Sequence, residues 1–454
     1  MVFTTEIYYR IKKEGRKMIK VAKFGGSSVA DAKQFQKVKD IVKSDKSRNV
    51  IIISAAGKRT SNDYKMTDLL YLTQAHLKYG VAADDIINTL HERFLEIQTE
   101  LGIKLDVAKE FDEYASKLTK ETPVDEIVSR GEYFSSRLMA EFIGYTFVDA
   151  AKVIFFGYDG KLDKEKTYKA IEEAVKANSN VVIPGFYGSL PNGKIKVMTR
   201  GGSDITGALA AAAIKADVYE NWTDVSGILM ADPKIVDKPA PIERITYNEL
   251  QELASMGASV LHEDAVAPVR EAGIPLNIRN TNDPSADGTM IVDKVREEKD
   301  SDKFITGLAG KKNYTILTIK KADIENTFPF RHSLKILDRY GIPAEHVTIG
   351  QNSFSFVVPS DVLEDKLYDV LTDIKNESQV DDIDVQDKIA LVAAVGRKMG
   401  FKPGISGMLF GALGDNKVNI RTIKQSADEL SIVLGVSNED FEKAIRVLYE
   451  KFAG

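Results

Sequence analysis

The chain contains no cysteine, which excludes disulfides, thiolate metal sites and a cysteine nucleophile. Histidine is scarce. His76, His91, His262, His332 and His346 never pair at zinc-ligand spacing, and H-E-x-x-H is missing. No apolar run approaches the roughly 18 residues needed to cross a bilayer. The N-terminus lacks the apolar centre of a signal peptide. An excess of positive charge is missing as well. The net charge of −5 argues against a general nucleic-acid binder, while leaving room for a local basic site. These absences point to a cytoplasmic protein that engages neither membrane nor nucleic acid.

At 454 residues the chain exceeds one ordinary core, so two or three domains are expected. Its 43% apolar and 28% charged content is ordinary for a globular protein. Residues 1–17 read as an N-terminal extension or tag, with Met18 as an alternative start. From Met18 to about Thr281, strand-like and helix-like segments alternate. Strands are expected at Ile19–Ala22, Val50–Ala56, Val148–Phe156, Asn180–Ile183, Val218–Trp222 and Leu276–Ile278. Helices are expected at Asp204–Lys215 and Tyr247–Met256, and Asp63–Thr122 reads as a helical excursion. This alternation predicts an α/β fold, a mostly parallel sheet between helices, with ligands beyond the carboxyl ends of the strands. A charged stretch, Asp293–Lys303, marks a linker after a domain spanning 18–294. Two similar β-α-β-β-α units follow, at 305–380 and 389–454, and strand 305–310 could join the second. They fit a ferredoxin-like α+β plan or a repeated spacer.

Five motifs carry candidate chemistry. Lys23-Phe24-Gly25-Gly26-Ser27-Ser28 follows the first strand. Its glycines let the backbone approach a ligand, its N–H groups and the next helix start form an anion cradle, and Lys23 adds a charge. Neither a Walker A loop nor G-x-G-x-x-G occurs, and a plain turn with a surface lysine is the other reading. Thr199-Arg200-Gly201-Gly202-Ser203-Asp204 precedes a helix. Arg200 offers a fork for a carboxylate or phosphate, and Ser203 can donate a hydrogen bond. Asp204 either caps the helix or orients Lys23. Ser129-Arg130-Gly131-Glu132 reads as a helix opening. Glu132 either receives a substrate ammonium group or is a favourable acid in a first turn. Ile183-Pro184-Gly185-Phe186-Tyr187-Gly188 is a binding turn or a structural one. Trp222-Thr223-Asp224-Val225-Ser226-Gly227, with Ala231-Asp232-Pro233-Lys234 behind it, suits nucleotide contacts. Trp222 also reads as core filling.

Together and in this order, KFGGSS, the GE pair, PGFYG, TRGGSD and WTDVSG resemble the aspartate kinases of the amino-acid kinase family. The similarity runs from Met18 to the end. It implies an amino-acid kinase domain followed by two ACT domains, and transfer of the γ-phosphoryl of ATP to the side-chain carboxylate of L-aspartate. The product would be 4-phospho-L-aspartate, on the route to lysine, threonine and methionine. By this resemblance Lys23 stabilises the transferring phosphoryl, and Gly25, Gly26 and Ser27 form the phosphate turn. Asp204 organises the centre. Arg200 holds the substrate α-carboxylate and Glu132 its ammonium group. Ser54, Thr67, Gly201 and Ser203 complete the acceptor side, and Thr223, Asp224 and Lys234 the nucleotide side. Two departures stand out. Ser259 and Glu263 replace the lysine and proline usual in that stretch, and Leu229 replaces a tyrosine found in some relatives.

The acceptor carboxylate is already ionised near neutrality, so no general base is required. Mg²⁺ is expected on the ATP phosphates, with no protein metal ligand assigned. The ACT pair implies a homodimer or tetramer inhibited by an end-product amino acid, lysine ahead of threonine. Ile342–Ser353, with Glu345, is the expected contact segment. Rival readings are another amino-acid kinase, acting on glutamate, acetylglutamate or carbamate, and a non-catalytic amino-acid sensor.

Overall fold

A computed structural model describes residues 17–199, 201–258, 261, 263–295, 304–321, 328–378 and 380–453. Almost all of the expected N-terminal extension, and the expected linker from residue 296 on, lie outside the described residues. The chain divides into two compact units. The first draws on Met1–Ile228, Pro241–Tyr247 and Val260–Glu297; the second on Leu229–Ala240, Asn248–Ser259 and Glu298–Gly454.

In the first unit the elements run β1 (Lys20–Phe24), α1 (Ala32–Ser44), β2 (Arg48–Ile53), α2 (Met66–Lys78), α3 (Asp84–Glu100), α4 (Val107–Ala115) and α5 (Val124–Ile143). There follow β3 (Thr146–Phe147), α6 (Lys164–Asn178), β4 (Val181–Pro184), β5 (Tyr187–Ser189), β6 (Ile195–Val197), α7 (Gly202–Ala213) and β7 (Val218–Thr223). The last are β8 (Arg244–Thr246), α8 (Tyr247–Ser255), most of which belongs to the second unit, α9 (Glu263–Glu271), β9 (Leu276–Asn280) and β10 (Thr289–Val292). Eight strands form one sheet in the order β3-β4-β2-β1-β7-β9-β10-β8. All pairings are parallel except β9 with β10.

The central strands read Lys-Val-Ala-Lys-Phe and Arg-Asn-Val-Ile-Ile-Ile, and their buried apolar side chains serve both faces, as a doubly covered sheet requires. Strand alternation sorts them. Ala22, Phe24, Ile51, Ile53 and Trp222 join the core beneath α1, the excursion helices and α5, where Phe35, Val38, Phe94, Phe111 and Phe134 pack. Lys23 and Asn221 are register partners on the other face, toward the start of α7.

Several local expectations are corrected. The strand expected at Val148–Phe156 does not form; strand β3, Thr146–Phe147, ends just before it, and only isolated bridges occur at Phe155 and Phe156. Asp149 then accepts a hydrogen bond from the Ala151 N–H and turns the chain into a 3₁₀ segment, Ala150–Lys152. The turn in the PGFYG motif opens the hairpin β5–β6. Ser129–Glu132 does not open a helix. Helix α5 begins at Val124 after Pro123, so Glu132 sits mid-helix, beyond the reach of the N-terminal dipole. Gly131 is there because Ala55 and Leu70 crowd it: a Cβ would lie 2.8 Å from that of Ala55.

The second unit holds β11 (Gly307–Lys320), α10 (Phe328–Arg339), β12 (His346–Ile349), β13 (Ser353–Pro359), α11 (Ser360–Leu363), α12 (Leu367–Glu377), β14 (Asp382–Val395), α13 (Ile405–Asp415), β15 (Thr422–Gln425), β16 (Ser431–Ser437) and α14 (Phe441–Ala453). Six antiparallel strands run β12-β13-β11-β14-β16-β15. Strands β11 and β14, each 14 residues long, cross both halves of this sheet. Tyr314–Lys320 pairs with β13, whereas Gly307–Lys311 pairs with Leu391–Val395. The register shifts between Lys311 and Tyr314, where Asn313 has φ 67°. Each half keeps its own core, one around Leu317, Leu337 and Phe356, the other around Leu308, Leu409 and Leu434. The expected fold class therefore holds. The sequence reading missed Asp382–Lys388 as a strand because those positions are mostly exposed and polar.

Candidate active site

The carboxyl end of β1 meets the start of α7. Lys23 lies near the end of a strand whose register places Asn221 beside it. Its Nζ stands 2.6 Å from Asp204 Oδ1 and 3.5 Å from Asn221 Oδ1, and Asn221 Nδ2 donates to Asp204 Oδ1 at 2.9 Å. The cap reading of Asp204 is overturned. The helix cap is Gly201, with φ 69°, and Asp204 turns its carboxylate to Lys23 instead. The Lys23 and Asp204 side chains are 9% and 20% exposed. That is sheltered enough to strengthen their attraction and open enough to admit an anion.

The glycine turn follows directly. Gly25 N–H donates to Trp222 O, and Gly26–Val29 forms a 3₁₀ turn. The α-helix expected to start there begins only at Ala32, capped by Asp31. Gly26 and Gly57 cross with Gly57 N–H donating to Gly26 O at 2.8 Å. A Cβ on Gly57 would come within 2.6 Å of Gly26, so only glycine fits. This crossing sets the turn against the Ser54–Gly57 segment. Ser54 N–H donates to Phe24 O, and Thr67 is the second residue of α2; both are half-buried. Ser27 is half-buried as well.

Glu132 reaches this segment from α5. Its side chain is buried and Oε2 has no hydrogen-bond partner. Burial pushes its carboxyl up to about 8, while the Ala55 backbone N–H acts in the opposite direction. Ser136 Oγ, one helical turn on, is buried and also without a partner. An unsatisfied carboxylate of this kind suits a cationic ligand group.

On the α7 side, Ser203 is buried against Gly185, where a Cβ would meet its Oγ at 2.5 Å. Arg200 lies outside the described residues, as does Ser259, and nothing is described of the Glu263 side chain. Thr223 ends β7 and donates to Asp224 Oδ1 at 3.1 Å, and Asp224 is exposed. Lys234, exposed, and Leu229, half-buried, belong to the second unit, so the first unit does not by itself bring them to this site. Trp222 is core: it stacks on Phe24 at 5.9 Å.

Two residues escaped the sequence reading. Asn221 bridges the Lys23–Asp204 pair; an amide inside the buried run Val218–Thr223 was the available signal. Phe186 adopts φ 77°, a conformation unfavourable for a bulky side chain, with its ring against Gly202.

A family model described as the amino acid kinase family matches residues 18–280, and an ACT domain model matches 392–452. The chain belongs to the amino acid kinase family and is a phosphotransferase. Within that family its relatives are aspartokinases. Aspartokinase 3 of Bacillus subtilis is 30% identical over 450 residues, spanning 96% of this chain and 98% of that protein. The crystal structure of Clostridium acetobutylicum aspartate kinase, described as an allosteric enzyme, superposes with TM-score 0.91 at 46% identity, covering 96% of this chain and all of that one. Escherichia coli aspartokinase III, solved once with aspartate and ADP and once with lysine and aspartate, gives TM-score 0.72 at 26% and 27% identity, again over 96% of this chain and all of that one. Among the described residues no helix is long and apolar enough to cross a membrane.

Proposed function

We propose that this chain is an aspartate kinase. It transfers the γ-phosphoryl of ATP to the side-chain carboxylate of L-aspartate, in the cytoplasm, on the route to lysine, threonine and methionine. The observation that carries the reading is the Lys23–Asp204–Asn221 contact at the carboxyl ends of β1 and β7. Glu132 Oε2, buried without a hydrogen-bond partner, and the relative's complex with aspartate and ADP support it further.

Both substrates are anions, so the site must offset their repulsion. Lys23 and the Gly25–Gly26 backbone meet the charge that develops on the phosphoryl oxygens. Asp204 and Asn221 fix the Lys23 ammonium, so little reorganisation accompanies transfer. Glu132 pairs with the substrate ammonium group and Arg200 with its α-carboxylate, leaving the side-chain carboxylate to attack in line. Ser54, Thr67, Gly201 and Ser203 line the acceptor side, and Ser27, Thr223, Asp224 and Lys234 contact the nucleotide. Among the described residues no three acidic or histidine side chains gather as a metal cage. Mg²⁺ would be held mainly by the ATP phosphates, where it would supply charge neutralisation.

Residues 305–380 and 389–454, with 305–310 joining the latter, act as the two ACT domains behind a kinase domain of 18–294. The chain works as a homodimer or tetramer inhibited by an amino acid, with lysine first and threonine second. Ile342–Ser353, which carries strand β12 and Glu345, is the contact segment.

ADP release is to be measured with aspartate, glutamate, acetylglutamate and carbamate as acceptors, with and without lysine, threonine or methionine. Release with aspartate alone is expected. Equal rates with another acceptor, or none with aspartate, overturn the reading. Lysine inhibition that survives changes in Ile342–Ser353 refutes that segment.

A further inference from the structure

Arg93 lies on α3, a helix to which the proposed mechanism gives no task. Its side chain is only 2% exposed. A buried guanidinium is costly unless its donors are satisfied. Here Nη1 and Nη2 go to three backbone carbonyls from two different loops, while Nε is buried without a partner. Nη1 donates to Tyr64 O at 2.8 Å; Nη2 donates to Gly57 O at 2.6 Å and to Ala30 O at 3.4 Å. The nearest carboxylate, Asp63, is 3.8 Å away and is itself held by Arg59 at 2.9 Å. Burial pulls the Arg93 guanidinium below its ordinary range, and the Asp63 charge works against that.

The identity of the acceptors matters. Ala30 closes the 3₁₀ turn that carries Gly26 and Ser27. Gly57 and Tyr64 are the two necks of an exposed loop whose outer flanks are Ser54 and Thr67. Gly57 also crosses Gly26 at hydrogen-bond distance. One planar fork therefore ties the acceptor-side loop shut and fastens it to the phosphate turn. A lysine carries the same charge on a single nitrogen and has no fork.

We propose that Arg93 is a positioning residue for phosphoryl transfer, clamping the 57–64 loop to the glycine turn so that acceptor and nucleotide are held in line. This deepens the aspartate kinase reading and rests on it. Misplacement of about 1 Å costs roughly 100-fold in such reactions. Arg93→Lys and Arg93→Ala are to be compared with the wild-type chain for aspartate kcat and KM, for ADP affinity by titration, and for rescue by millimolar guanidinium.

We expect kcat/KM for aspartate to fall roughly 100-fold in both variants, ADP affinity to hold, and guanidinium to restore Arg93→Ala in part. Unchanged aspartate kinetics overturn the proposal. So does parallel loss of ADP affinity and turnover without rescue, which marks a merely structural residue. If Arg93→Ala does not fold, Arg93→Lys carries the comparison alone. A wild-type chain inert toward aspartate sinks the functional reading instead. The clamp is then read by trypsin cleavage after Lys58 and Arg59, which must quicken in Arg93→Lys and, if unchanged, refutes it.

Discussion

Strands β1 and β7 carry charged groups on both faces of one sheet, and the two faces treat charge in opposite ways. On the face under α1, Glu220 accepts from Arg48 Nε at 2.7 Å, Lys20 Nζ at 3.1 Å and Trp222 Nε1 at 2.9 Å. Arg48 Nη1 turns to Ile41 O, and Lys20 also reaches Asp45 at 2.9 Å. Burial alone would raise the Glu220 carboxyl, but Lys20, Arg48 and these hydrogen bonds hold it below its ordinary range. On the α7 face, Lys23, Asp204 and Asn221 form a smaller cluster that stays partly open, and in the same unit Glu132 Oε2 has no partner. A closed charge network is a structural device; one left open at a strand's carboxyl end awaits a ligand.

The largest effect should come from breaking the closed face. Glu220→Ala leaves Arg48 buried without its counter-charge and Lys20 with Asp45 alone, and should cost about 3–5 kcal/mol in denaturant titration. KM and kcat of the folded fraction should be unchanged. A loss under about 1 kcal/mol, the size of an exposed pair, would erase the distinction. On the open face the response inverts. Lys23→Ala should lower turnover by about two to three orders of magnitude with little change in the denaturation midpoint; near-normal turnover would refute the role given to Lys23.

Glu132 sharpens the contrast through pH. A substrate ammonium requires the ionised carboxylate, so aspartate kcat/KM should rise about tenfold per pH unit below its value of about 8 and flatten above it. Stability should move the other way. The folded carboxyl holds its proton to higher pH than the unfolded one, so its contribution is complete below the ordinary value of 4.5 and is lost as pH rises through about 8. Glu132→Gln should remove both slopes; persistence of either would mean another group titrates.

The smallest test uses sequence neighbours on opposite faces. Trp222→Phe deletes the donor to Glu220 and should cost about 1–3 kcal/mol of stability without altering kinetics. Asn221→Ala should lower turnover about tenfold, the scale of one charge-assisted hydrogen bond, and leave stability nearly unchanged. Reversed outcomes would exchange the roles of the two faces.

Much of this was legible in the chain. The β-branched run Val50–Ile53, the strand-like segment Val218–Trp222 and glycine pairs at strand ends announce a parallel sheet with its site at the carboxyl ends of the strands. Lys23 and Asp204 were legible as candidates because each sits in a glycine-bearing motif. Asn221 was hidden, since one amide in a strand does not reveal the face it occupies. The place of Glu132 within α5 was misread because Gly131 looks like a helix opening, when it serves a close contact with Ala55. Asp382–Lys388 was missed because an exposed polar strand lacks the alternation that marks one.

The order of strands, helices and glycine turns follows from local chemistry, since periodicity and backbone freedom are properties of neighbouring residues. The sequence alone therefore determined the architecture and the short roster of reactive side chains. Only the tertiary structure decided that Lys23 meets Asp204 across 180 positions, that Glu220 is enclosed while Glu132 is not, and that Arg93 joins two loops. Those outcomes depend on register and packing, which bring distant residues within a few ångströms and set the solvation of each charge.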